Sequence, residues 1–102
     1  MHLIELLLPL YDNDGAAVPR SHFQAVTAEL TEQFGGLTAF TRAPAQGLWK
    51  DDRERTRRDD VVLYEVMVDS VDGTWWERYR KRLEERFGQE RIVIRATPTD
   101  LL

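Results

Sequence analysis

Residues 3–8 read Leu-Ile-Glu-Leu-Leu-Leu, apolar at every position but one, and the run stops at Pro9. A short apolar stretch closed by a breaker predicts a central strand covered on both faces. Asp12-Asn13-Asp14-Gly15 then predicts a turn, because these residues accept left-handed or locally hydrogen-bonded backbone. From Ser21 the period changes: Phe23, Val26, Leu30 and Phe34 fall at steps of three and four and form one apolar helical stripe. Ser21 and Gln24 have the spacing of a capping box, and Gly35 stands where a left-handed C-terminal cap is wanted.

Residues 37–42 alternate in part and predict a second strand. Residues 43–60 hold Pro44, Gly47 and ten charged side chains, five of each sign, and read as a charged connection. Residues 61–69 are β-branched and apolar, which predicts a third strand returning as a long hairpin. A second capping box, Thr74 to Glu77, opens a helix whose stripe is Trp76, Tyr79, Leu83 and Phe87 and which Gly88 ends. Its other faces place Glu77 with Lys81, Arg80 with Glu84 and Lys81 with Glu85 at i,i+4, the pattern of a solvated surface. Residues 91–97 predict the last strand, closed by Pro98.

The order is β-α-β-β-α-β, and both helices close on the same signature, L-x-E-x-F-G, at Leu30 to Gly35 and at Leu83 to Gly88. Two like halves in this order predict one α+β domain over residues 1–102. Its expected form is the ferredoxin-like split βαβ fold, a four-stranded antiparallel sheet with two helices on one face.

That architecture leaves one sheet face bare. Alternation puts Ile4, Leu6 and Leu8 with Val62, Tyr64, Val66 and Val68 on the charge-free side, which is assigned to the core. Leu3, Glu5 and Leu7 with Leu63, Glu65 and Met67 fall on the other side, which Phe40, Arg42, Val93 and Arg95 of the outer strands can join. Carboxylates and guanidiniums on a partly apolar surface call for a cover or a ligand. The first reading is a homodimer with sheets packed face to face, in which Leu3, Leu7, Leu63, Met67 and Trp75 form the interface. The second is a small-molecule pocket between that face and the hairpin, with Glu5 or Glu65 as general base or polar anchor and Arg42, Arg95 and Trp49 beside it. The two are compatible.

Composition trims the list of functions. The chain has 102 residues, enough for one real core. Its net charge of −4 argues against nucleic-acid binding, and the Arg57-Arg58 pair is cancelled by Asp59-Asp60. The absence of cysteine excludes disulfides, thiolate metal sites and a cysteine nucleophile. No apolar run can span a bilayer and no secretory signal is visible, so a soluble cytoplasmic protein is expected. His2 and His22, the two histidines, have no metal-ligand spacing, and His22 is expected at the surface. Ser21 lacks a nucleophile elbow, and an EF-hand register through Gly15 would put Leu10 and Ser21 where carboxylates are needed. No phosphate-binding glycine loop occurs, and nothing asks for a cofactor or a metal. Trp49 is expected to fold onto the sheet or a partner rather than stay exposed. Trp76 fits the core stripe and leaves Trp75 at the rim.

Phe34-Gly35-Gly36-Leu37-Thr38, Gly47-Leu48-Trp49, the apolar strand at 61–68 and Arg86-Phe87-Gly88-Gln89-Glu90 together resemble a family of small bacterial proteins known only as a domain of unknown function. Its pattern is F-x-G-L-T, G-x-W, a charged turn, an apolar strand, and R-F-x-Q-E. The resemblance covers roughly residues 20–97 and implies no established activity. Many members carry an export signal that this chain does not show, so their location is not implied here. The fold is also similar to that of dimeric α/β-barrel proteins, a group that includes cofactor-independent oxygenases and isomerases. That similarity implies, as an alternative, a small cofactor-free enzyme using a Glu/Arg cavity on the sheet face.

Overall fold

In a computed structural model, the described residues are 1–50 and 56–102, without the side chains of 42–45, 49 and 56–59. Their order is β1 (His2–Pro9), α1 (Arg20–Phe34), β2 (Thr38–Lys50), β3 (Thr56–Val68), α2 (Gly73–Arg86) and β4 (Ile94–Pro98). The four strands form one sheet in the order β2-β3-β1-β4, with every neighbouring pair antiparallel. This is the expected ferredoxin-like α+β fold.

The alternating pattern decides which face the helices cover. Ile4, Leu6, Leu8, Val62, Tyr64, Val66 and Val68 are all buried, and they meet Val26 and Leu30 of α1 and Trp76, Tyr79 and Leu83 of α2. Phe87 and Ile92 complete this core. The core holds no buried polar or charged residue among those described, so hydrophobic burial drives its assembly. Phe34, Trp75, Trp76 and Tyr79 add an aromatic seam between the helices. The Phe34 and Trp76 rings stack at 5.2 Å with planes 2° apart. Trp75 meets Phe34 edge-on at 5.1 Å and stacks on Tyr79 at 4.9 Å.

The caps differ from the sequence expectation at both helix starts. Pro19, not Ser21, precedes α1, and no side chain caps that end. Proline's fixed φ is already suited to entering a helix, so the turn can start without a hydroxyl acceptor. The N-cap of α2 is Asp72, whose Oδ1 accepts from the Trp75 N–H at 3.1 Å, so the helix starts ahead of the Thr74–Glu77 box. The C-terminal ends follow the sequence. Gly35 takes φ 84°, and its N–H donates to the Thr31 carbonyl at 2.8 Å. Gly88, at φ 61°, and Gln89 donate back to the carbonyls of Glu85 and Glu84 at 3.3 and 2.9 Å, closing α2 as a Schellman motif.

The hairpin is longer than its composition suggests. β2 and β3 remain paired from Ala45↔Val61 out to Lys50↔Thr56, whereas β1 follows β3 only as far as Pro9↔Val61. The charged connection at 43–60 is therefore largely ladder, a two-stranded ribbon extending past the sheet. Backbone pairing overrides the poor β-propensity of Gly and charged residues here, while Pro44 falls outside the paired positions. Between Phe40 and Ala45 the register slips: five steps along β2 face two steps from Leu63 to Val61. At the other edge β4 begins at Ile94 rather than 91, although the Leu7 N–H already reaches the Val93 carbonyl at 3.0 Å.

Candidate functional site

The face opposite the helices carries a defined row of side chains. Cross-strand register sets Thr38 beside Glu65, Glu65 beside Glu5, and Glu5 beside Arg95, one residue from each strand. Parity alone puts these residues on one face, and antiparallel register then brings them into line. The Arg95 Nε lies 3.5 Å from a Glu5 carboxylate oxygen, with the Arg95 side chain about half exposed. Both glutamates are half-buried.

Apolar residues border this row on both sides. Phe40, Leu63, Leu7 and Val93 form the next rank toward the ribbon, and Met67 and Leu3 lie on the opposite flank. Phe40, Met67 and Val93 are 51%, 40% and 43% exposed, an unusual amount of apolar surface for one sheet face. Seven sequence candidates, Leu3, Glu5, Leu7, Leu63, Glu65, Met67 and Arg95, thus share the face.

The remaining candidates are placed differently. Trp75 is half-buried in the aromatic seam, in the helix layer across the sheet from Leu3, Leu7, Leu63 and Met67. The backbone of Trp49 pairs with Arg57 in the ribbon, but the side chains of Trp49 and Arg42 lie outside the described residues. Arg42 also falls inside the register slip, which breaks the parity that placed it with Phe40. His22 is not at the open surface: it is half-buried, edge-on to Phe87 at 6.1 Å. The Nδ1 atoms of His2 and His22 are buried without a hydrogen-bond partner among the described residues.

Two concavities flank the open face. One of about 480 Å³ lies at the α1–β2 turn and takes in Leu3, Thr38, Glu65 and Met67. The other, about 180 Å³, lies between the face and the ribbon, against Leu7, Leu48, Val61 and Val93. Among the described residues, this smaller concavity is lined without Glu5 or Glu65. A larger cavity of about 850 Å³ opens on the other side of the sheet, along α1. Sequence reasoning missed it because it arises where α1 leaves β2 uncovered, which no periodicity reports.

A second polar cluster ties the helices together. Glu29 of α1 accepts from Arg86 through both carboxylate oxygens, at 2.6 and 2.9 Å, from Arg82 at 2.7 Å and from the Tyr79 hydroxyl at 3.0 Å. The Arg86 hydrogen bonds, reinforced by Arg82 and Tyr79, outweigh desolvation and hold Glu29 down at about 2. Burial, with the Glu29 charge next, pushes the Tyr79 hydroxyl well up. These groups hold one another and leave little free for a substrate. Among the described residues no group of three or more His, Asp or Glu is arranged to hold a metal, and no helix is long and apolar enough to cross a membrane.

No family model matches the chain, and no curated protein matches it. Solved structures do resemble it. A phage SAM lyase in complex with S-methyl-5'-thioadenosine superposes with a TM-score of 0.61 at 13% identity, over 94% of this chain and 79% of that one. The divalent cation tolerance protein Cut A1 from Thermus thermophilus gives a TM-score of 0.62 at 11% identity, over 97% and 84%. At such identities the likeness shows a common fold, and the ligand named with the phage enzyme is that protein's own.

Proposed function

We propose that this chain is a self-associating domain that packs through its open sheet face, with the Glu5, Glu65 and Arg95 row as its polar register element. The observation that carries this reading is the row itself: three charged residues in line across three strands, bordered by exposed Phe40, Met67 and Val93. Apolar ranks supply association energy, at roughly 25 cal/mol per Å² removed from water. The charged row makes one alignment of copies better than its neighbours. A homodimer is the simplest closed form.

The motif resemblance to the small bacterial family belongs to the same proposal, as does a soluble, cytoplasmic setting. A small-molecule site on this face, bounded by Glu65, Thr38 and the α1–β2 turn, is compatible with it and has the 480 Å³ concavity in its support.

Light scattering coupled to size exclusion tests the association. The expected result is a mass of twice 11.9 kDa or more, falling to one chain in Leu63→Asp with the circular dichroism spectrum retained. A wild-type mass of one chain at high micromolar concentration would remove the reading.

A further inference from the structure

The cavity along α1 lies on the helix side of the sheet, independent of the face proposed for association. Its floor is Val62 and Tyr64 of β3, and its outer wall includes Thr41 of β2, beside the register slip. The opposite wall is one stripe of α1: Arg20, Gln24, Thr27, Ala28 and Thr31 follow at steps of one, three and four. This stripe adjoins the buried Val26–Leu30 stripe but has no element packed on it among the described residues. At about 850 Å³ the space falls within the range of small-molecule sites.

The two ends of the groove differ chemically. At one end Arg20 opens α1, two residues after Val18, whose N–H donates to the Leu10 carbonyl at 2.9 Å, and Leu10, Val18 and Phe23 also line the groove. Arg20 makes no ion pair among the described residues, so its charge is available there. Glu32 sits at the other end, twelve residues along the helix, about 18 Å away at 1.5 Å per residue. That exceeds the screening length of about 8 Å at physiological salt, so Glu32 does not cancel the Arg20 end.

Between the ends lies an under-used hydroxyl. Tyr64 is 4% exposed, and its oxygen lies 3.4 Å from Thr27 Oγ1, a long contact. The Thr27 hydroxyl donates at 3.1 Å to the Phe23 carbonyl, so its proton is already committed. The Tyr64 O–H therefore retains hydrogen-bonding capacity at the floor of the groove.

We infer that this groove binds a small amphipathic carboxylate, with Arg20 holding the carboxylate and Leu10, Val18, Phe23 and Val62 holding its hydrocarbon body. A half-buried apolar surface beside a guanidinium that has no ion pair among the described residues matches an anion with an apolar tail better than it matches a polar metabolite or a neutral hydrocarbon. Tyr64 and Thr27 offer a further contact to an oxygen-bearing substituent along the tail.

Titration of the ¹⁵N-labelled protein with 4-phenylbutyrate, and in parallel with 4-phenylbutan-1-ol, tests this by NMR. The acid is expected to shift the amides of Phe23, Thr27 and Tyr64 saturably, and the alcohol to bind at least about tenfold more weakly. Arg20→Gln is expected to bring the acid down to the alcohol's affinity, and Ala28→Phe, which fills the groove from an exposed helix position, to abolish both. Equal affinity for acid and alcohol, indifference to Arg20→Gln, or shifts confined to Leu3, Glu5, Leu7 and Leu63 would overturn the assignment. So would the lack of any saturable shift up to about 10 mM acid, where even a millimolar site fills.

Discussion

Arg86 grips Glu29 with two parallel hydrogen bonds, Nη1 to Oε1 at 2.6 Å and Nη2 to Oε2 at 2.9 Å, and so couples the second helix to the first. Bidentate pairs of this kind are among the stronger polar contacts. The Glu29 carboxyl is lowered from 4.5 to about 2, so the folded state binds its proton less readily than the unfolded chain does. The resulting stability is fully present above about pH 4.5 and is lost as pH falls toward 2. For a partly exposed site it is on the order of 2–3 kcal/mol. Glu29→Gln should lower stability by that order at pH 7, and by much less near pH 2. Urea unfolding curves at the two pH values check this.

On the open face Glu5 and Glu65 are directly opposed, and only Glu5 has Arg95 beside it. Like charges facing across strands destabilise by a few tenths to about 1 kcal/mol. Glu65→Gln should therefore raise the melting temperature slightly at low salt, whereas Arg95→Ala should lower it, each by less than about 1 kcal/mol. Thermal melts at low and high salt read both, and the two shifts should shrink together as salt rises.

Gly88 does two things that an alanine cannot. It adopts φ +61°, and an added Cβ would lie 2.9 Å from the Asp12 Cβ. Asp12 is held in its own loop, where its Oδ1 accepts from the Asp14 and Ala16 N–H groups at 2.9 Å each. The Asn13 N–H also donates to the Gly88 carbonyl at 2.9 Å, so the loop has little freedom to withdraw. Gly35 has the same kind of backbone, φ +84°, but open space around it. Gly35→Ala should cost about 1 kcal/mol, and Gly88→Ala clearly more, by chemical denaturation.

Asp72, not Thr74, caps the second helix, and Pro19 leaves the first without a side-chain cap. Asp72→Ala should cost about 1 kcal/mol, while Ser21→Ala stays within about 0.5 kcal/mol. A loss in Ser21→Ala as large as that in Asp72→Ala, measured by urea unfolding, would restore Ser21 as the cap of the first helix.

These cases show how much of the molecule is legible in its sequence. Ile4, Leu6 and Leu8 repeat every second residue and Phe23, Val26, Leu30 and Phe34 every third or fourth, so the core and the helix-covered face follow from period alone. Glu5 and Glu65 can be placed on one face by the same parity, although not opposite each other, since register depends on the whole ladder. The helix starts mislead because Ser21 and Thr74 satisfy a local spacing rule, while each observed N-cap position lies two residues upstream. The ribbon misleads because Gly47 and dense charge signal a loop and hairpin pairing overrides them, while Pro44 falls in the register slip. The α1 groove leaves no sequence trace at all. Thr27, Ala28 and Thr31 look like any solvated helix face until the sheet beside them is known.

The charged row also has an asymmetry that would act like a vernier between two copies of the sheet in the proposed assembly. Read from β2 to β4 it runs neutral, acid, acid, base, with strands about 4.8 Å apart. If a second copy were turned about an axis along the strands and centred on the sheet, carboxylate would meet carboxylate. Slid sideways by one strand, Arg95 of each copy would overlie Glu65 of the other, with Glu5 still over Glu5. Slid by two, Arg95 would overlie Glu5. In the proposed assembly the row would thus favour staggered overlap over full eclipse, and the stagger would leave part of each apolar rank to be covered by something else.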